Sequence, residues 1–263
     1  MPTIHIQLFG HFQLCYAHQP VTVITKRGQI LLAYLLLYRH QAHLRETLAS
    51  LLWPETNDVQ ARANLRTELT RLRRSLAEFD RYLYDEHGIL QWRHDAPFTL
   101  DVLAFEQASW QAEQAERIGD DAGALIAFQT AINLYSADLL ANVYEDWVMR
   151  IRQCLANQFI DAMDSVIALL KKRSDYPQAI RYAQRLLQYD PLHETCYRQL
   201  MEIHALNGDH AKVKQVYQAC VNLLQRELAV LPSPLTQKLY QTIMAGADDL
   251  NKLVKKEIPD LAS

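Results

Sequence analysis

Residues 58–76 read DVQARANLRTELTRLRRSL, and this stretch decides the fold. Its apolar side chains recur at Ala61, Leu65, Leu69, Leu72 and Leu76. At about 100° per residue all five fall within about 40° of one line, which describes a helix with a single buried stripe. The opposite face carries Ala63, Thr67, Thr70 and Arg74, flanked by Asn64, Arg66, Arg71 and Arg73. Asp58 is suited to cap the N-terminus. Five arginines against one glutamate, Glu68, give residues 62–74 a local charge of +4.

On the N-terminal side, residues 4–24 alternate with period 2: Ile4, Ile6 and Leu8, then Phe12 and Leu14, then Val21 and Val23. Gly10 and residues 17–20 punctuate them, so a small antiparallel meander is expected. Thr25 can N-cap a helix running to about Arg39. A second helix is expected at residues 44–52 and stops near Pro54, whose ring fixes φ and removes an N–H. On the C-terminal side, residues 82–84 and 89–92 read as two short strands around Gly88. Three strands, three helices and a hairpin make a winged helix-turn-helix, with Gly88 and Arg93 on the wing and Trp92 either beside Arg93 there or packed in the core.

Beyond Asp101 the pattern is helical throughout. Helices are expected at 102–117, 122–134, 144–172, 177–188, 193–207, 211–228 and 234–244. Asp175 and Asp209 open similar segments at an offset of 34, the tetratricopeptide period, and Asp120 opens a third. The fold class is therefore an α+β winged helix-turn-helix domain at 1–97, then an all-α tetratricopeptide-like domain at 98–246, with a polar tail at 247–263. Tyr135, Tyr144, Trp147, Tyr176, Tyr182 and Tyr189 are expected to pack repeat interfaces, with a ligand groove as the alternative.

Charge is unevenly spread. Residues 1–95 hold eleven Lys and Arg against nine Asp and Glu, and the rest hold sixteen against twenty-one. A basic element on an otherwise acidic chain is the electrostatic footprint of a polyanion site. The cysteines (Cys15, Cys154, Cys196 and Cys220) form no C-x-x-C pair and suit neither a zinc site nor a disulfide framework. They read as small buried hydrophobes in a reducing compartment. The N-terminus lacks the form of a signal peptide, and the longest apolar run, residues 30–37, is too short to span a bilayer. A cytoplasmic protein with no membrane partner is expected. No G-x-x-x-x-G-K-[ST], H-E-x-x-H or nucleophile–base motif occurs, so neither a cofactor, a metal nor an enzymatic activity is expected. Asp101, Glu145, Asp146 and Asp190 are scattered carboxylates suited to capping or surface roles.

Several segments carry a family resemblance. LLAYLLL (31–37), LLWPE (51–55), ARANLR (61–66) and LRRSL (72–76) resemble the winged helix of bacterial activators of the antibiotic-regulatory type. YDPLHE (189–194), LM (200–201), NGD (207–209), YQAC (217–220), ELAVLPSPLT (227–236) and LY (239–240) are similar to the bacterial transcriptional activator domain that follows it. Where that family has glycine after Glu-Leu, this chain has Ala229, so a left-handed C-cap is not expected there. The resemblance implies that the third helix enters the major groove of double-stranded DNA. It also implies that the helical domain dimerises and contacts RNA polymerase, and it leaves room for a small-molecule or protein effector.

The residues support that implication independently. Arginine pairs bidentately with guanine and threonine touches the thymine methyl, so Arg66, Thr67 and Thr70 are the candidates for base contacts. Arg62, Arg71, Arg73, Arg74, Lys26 and Arg93 are the candidates for phosphates. Lys26 and Arg27 sit at the positive end of the first helix, which suits either a phosphate there or a solvated pair. A charged helix face is by itself more often only solvated. A protein-interaction scaffold and a ligand-sensing module are the competing functions.

Overall fold

The computed structural model describes residues 3–17, 19–22, 24–76, 78–93 and 95–257, and beyond residue 246 the backbone alone. Val23 and residues 258–263 of the expected tail lie outside the described residues. The chain divides into two compact units. One is the chain up to Gln107 together with Asn133–Ala156; the other is Ala108–Ile132 with the segment from Asn157 onward.

In the first unit, β1 (Ile4–Gln7) pairs antiparallel with β2 (Gln13–Tyr16), and β2 pairs with β3 (Gln19–Pro20). The alternation does what it should: Ile4, Ile6 and Leu14 are buried. Helices α1 (Lys26–Leu37), α2 (Arg45–Leu52) and α3 (Asp58–Ser75) follow. Thr25 caps α1 as expected, accepting from the Gly28 N–H at 3.0 Å. The cap of α3 is Asn57 rather than Asp58; its side chain accepts from the Gln60 N–H at 2.9 Å. Asp58 sits one position later, where its charge still meets the positive helix end.

Two strands were not expected. β4 (His43–Leu44) pairs with β6 (Ile89–Trp92), which pairs with β5 (Leu83–Glu86). β7 (Phe98–Leu100) runs parallel to β1, with Ile4 opposite Phe98. Two or three residues are too few to display a period. A single 3-10 turn, Phe79–Arg81, joins α3 to β5. The β5–β6 hairpin turns on His87 and Gly88, at φ +53° and +77°. Two consecutive left-handed residues give a two-residue turn whose twist matches the strands.

Asn133–Ala156 supplies the rest of this core. Tyr135 packs on Phe9 with ring centroids 4.8 Å apart, and Trp147 packs on Tyr34 at 5.0 Å. These two aromatics therefore serve the first unit and not a repeat interface. Tyr144 is exposed, and Tyr189, also exposed, rests on Phe159. The Asp101 carboxylate accepts the N–H groups of Leu8, Phe9 and Val102. Burial pushes its pKa up, against the pull of those three hydrogen bonds.

The second unit holds α7 (Tyr176–Tyr189), α8 (Glu194–Leu206), α9 (His210–Leu228) and α10 (Pro234–Glu257). α8 packs against α7, α9 and α10. The remaining helices are α4 (Asp101–Arg117), α5 (Asp121–Leu134) and α6 (Asp146–Lys172). The repeat has a physical meaning. Asp120, Asp175 and Asp209 each accept the N–H three residues on, so each opens α5, α7 or α9 as its cap. Each follows a left-handed residue, Gly119, Ser174 or Gly208. α10 runs well past the expected residue 244, through a stretch with no glycine or proline between 247 and 257.

Two expectations are corrected here. Cys196 and Cys220 are buried, but Cys15 is half-buried and Cys154 exposed, so only two of the four act as core hydrophobes; all four are free thiols. α9 does end in a left-handed cap. Ala229 has φ +55°, its N–H reaches the Gln225 carbonyl at 3.2 Å, and the Val230 N–H reaches the Leu224 carbonyl at 3.5 Å. The hydrogen bonds outweigh the Cβ clash that alanine suffers there, which costs about 1–2 kcal/mol. Ala229→Gly is expected to raise stability by about 1 kcal/mol, seen as a higher midpoint in urea unfolding with an unchanged slope. An unchanged midpoint would contradict the strain.

His193 gives the second unit a pH dependence. Its Nε2 meets Asp164 Oδ2 at 2.6 Å, and its Nδ1 lies 3.9 Å from Asp190 Oδ2. The hydrogen bond to Asp164 raises the imidazole pKa; burial lowers it, and Asp164 and Asp190 add to the rise against Arg198. A group raised on folding contributes fully below its unfolded value of about 6.5 and loses the contribution as pH rises through the folded value. The thermal midpoint is expected to fall as pH increases through that window. His193→Asn is expected to flatten this component; an identical profile in the variant would remove His193 as its source.

Candidate nucleic-acid interface

α3 presents the face that its sequence prescribes. Ala61, Leu65, Leu69, Leu72 and Leu76 are all buried, while Arg66, Thr67, Thr70 and Arg74 are exposed. The Thr67 hydroxyl donates to the Ala63 carbonyl at 3.0 Å, and Thr70 to the Arg66 carbonyl at 2.9 Å. Both hydroxyl protons are thus spent within the helix, leaving the methyl groups and oxygen lone pairs to face outward. Neither Arg66 nor Arg74 has an ion-pair or hydrogen-bond partner for its guanidinium among the described residues. Gln60 donates to Asn64 one turn along, at 2.9 Å.

The other arginines are engaged. Arg62 pairs with Glu46 of α2 at 2.8 Å, both side chains exposed. Arg71 pairs with Glu68 at 2.6 Å. Arg73 donates through Nε to Asp80 at 2.7 Å and through Nη2 to Asp85 at 2.6 Å. Burial disfavours its charge, but the two carboxylates win and hold its pKa above the ordinary value. Arg73, expected on a phosphate, is therefore committed to the wing. Asp85 also takes Arg45 Nη2 at 2.7 Å, and the Arg45 N–H bonds the Gly88 carbonyl at 2.9 Å. One carboxylate on β5 thus ties the wing to α2 and to α3.

Glu68 is the residue that inspection of charge alone passes over. It is only 6% exposed. Its carboxylate accepts from the Thr25 hydroxyl and from Arg71. A Cβ on Gly28 would sit 3.3 Å from Glu68 Oε2, so glycine keeps the first turn of α1 open to this approach. The anion at the positive end of α1 is thus built in. Of the two cations there, Arg27 pairs with Glu145 at 2.7 Å and Lys26 is exposed. A signal for Glu68 existed, since it lies about 60° from the centre of the apolar stripe. A charge there needs a partner.

On the wing, Gly88 and Arg93 are exposed. Trp92 is 1% exposed, between Tyr82 and Phe98 at ring distances of 5.9 and 5.4 Å. It shares the inward face of β6 with Leu90, so it is a core residue and not a contact surface. Among the described residues no three His, Cys, Asp or Glu side chains gather as metal ligands.

The fold is a winged helix-turn-helix followed by tetratricopeptide-like helices. It is shared with Mycobacterium tuberculosis EmbR, solved in complex with a low-affinity phosphopeptide: TM-score 0.80 and 18% identity, covering 94% of this chain and 66% of that one. The family model of the bacterial transcriptional activator domain matches residues 100–244, and the chain belongs to that family. It is similar to the regulatory protein AfsR of Streptomyces coelicolor, 28% identical over 223 residues. It is also similar to AfsR of Streptomyces griseus, 26% identical over 229 residues. These alignments take in 85% and 87% of this chain but 22% and 23% of those proteins, so the chain spans under a quarter of their length.

Proposed function

We propose that this chain is the DNA-binding and activating part of a transcription regulator, with α3 in the major groove. The observation that carries the reading is the outward strip of Arg66, Thr67, Thr70 and Arg74, unpaired by any carboxylate among the described residues, on a helix whose other face is fully buried. Arg66, Thr67 and Thr70 read base edges, and Arg74 and Arg93 hold phosphates. Arg62, Arg71 and Lys26 are exposed and join the backbone contacts, the first two by exchanging a carboxylate for a phosphate. Arg73 instead aims the wing.

The family supports activation through contact with RNA polymerase, and two copies on paired half-sites gain affinity by linkage. A regulator of this kind works in the cytoplasm; no helix among the described residues is long and apolar enough to cross a membrane. The helical part also offers surface for an effector.

Selection from random duplex DNA should yield one preferred site. Arg66→Ala with Thr67→Ala is expected to lower preference for that site over random DNA by about ten- to a hundredfold. Arg74→Ala should weaken all sequences alike and reduce the salt slope by about one unit. Failure to enrich any sequence, or undiminished preference in the double variant, would overturn the role given to α3.

A further inference from the structure

In the second unit many described cations meet carboxylates: Lys171 with Glu202, Lys172 with Asp121, Lys212 with Asp209 and Arg226 with Glu227. Arg181 and Arg185 do not. Both are exposed on α7, four residues apart, and neither has a carboxylate partner among the described residues. Like charges one turn apart destabilise the helix that carries them. An anion bridging the pair reverses that sign.

Arg185 is held in place by groups that carry no charge. Its Nη2 donates to the Ile132 carbonyl at 3.4 Å, and its guanidinium lies 5.9 Å from the centre of the Phe159 ring. A carbonyl and a ring face orient the fork and leave most of its five N–H donors unmatched. Gln178 and Tyr182 complete the strip at the i, i+3, i+4, i+7 spacing of one helix face. The amide of Gln178 is steadied by Asp175 at 2.8 Å. Together the four residues line an open concavity of about 270 Å³. That is small and shallow for enclosing a metabolite but large enough for one or two carboxylate side chains.

We propose that this strip of α7 docks an acidic segment of a partner protein, whose carboxylates bridge Arg181 and Arg185 while Tyr182 supplies flat contact surface. Charge complementarity selects the occupant. The second unit carries fourteen basic against sixteen acidic residues, too balanced a charge to attract a long polyanion such as duplex DNA. A short acidic segment engages the two arginines locally, within a Debye length of about 8 Å. The proposal does not depend on the role of α3.

The test is a fluorescence anisotropy titration of a labelled deca-glutamate peptide with the full chain at physiological ionic strength, beside a deca-glutamine control. The glutamate peptide is expected to bind and the glutamine peptide not. Arg181→Glu with Arg185→Glu should weaken binding by about tenfold or more, and Arg181→Gln alone, at an exposed position, by an intermediate factor. Arg181→Lys with Arg185→Lys should retain only part of the affinity, since the fork geometry is lost. Equal binding of both peptides, or glutamate affinity unmoved by charge reversal, would overturn the proposal. So would a charge-reversed variant that loses affinity for a short DNA duplex as much as for the peptide.

Discussion

Trp92→Ala is expected to destabilise the first unit by about 3–5 kcal/mol, the usual cost of emptying a large aromatic site in a core. The indole is 1% exposed, lies between Tyr82 and Phe98, and faces inward from β6 of the wing hairpin. Its N–H meets no acceptor among the described residues. Trp92→Phe therefore removes a buried donor that bonds nothing and leaves only a modest void, so a loss of about 1 kcal/mol or less is expected. Thermal or denaturant unfolding of the two variants separates the readings. A core residue gives this steep difference between Ala and Phe. A wing residue touching DNA gives small stability changes for both and a loss of DNA affinity for both.

That pair also shows where sequence and structure part company. Trp92 follows Leu90 by two residues, so period-2 alternation already placed it inward. The wing stayed open as an alternative because the next residue, Arg93, carries a charge suited to a phosphate. The apolar stripe of α3 was legible because five leucine and alanine positions over sixteen residues oversample a period of 3.6. The repeat opened by Asp120, Asp175 and Asp209 was legible because one local segment recurs, while its work as a helix cap shows only in the structure. β7 was not legible: its partner Ile4 lies 94 residues away, and three residues carry no measurable period. The allotment of the arginines was hidden for a related reason. The carboxylates that engage Arg62 and Arg73 come from α2, the 3-10 turn and β5, so no pattern inside residues 58–76 contains them. Glu68 is the exception, because its place beside the stripe marks it as a buried charge before any partner is known.

Asp85→Ala is the variant that separates stability from recognition. Asp85 is 12% exposed and receives two guanidinium groups, from Arg45 and Arg73. Hydrogen bonds to charged groups contribute about 1.5–3 kcal/mol each when well buried. Both arginines here are about one-third exposed. Water can therefore take over part of their solvation, and a loss of about 2–3 kcal/mol is expected. Deuterium exchange at Leu83–Glu86 should speed up, because the backbone bond from Arg45 to Gly88 then holds the wing to α2 without its side-chain partner. If α3 reads DNA, the consequence for binding has two opposite signs. Arg45 loses its carboxylate partner and Arg73 keeps only Asp80, so affinity for random duplex rises and the salt slope steepens by up to about one unit. The wing is no longer aimed by α3, so preference for the selected site falls. Asp85→Asn keeps an acceptor for one arginine and should fall between wild type and alanine in all three measurements. A variant whose specific and random affinities drop together would mean that Asp85 acts on stability alone. Opposite movement of the two would mean that an internal carboxylate withholds positive charge from DNA in order to fix the angle at which the remaining charge is presented.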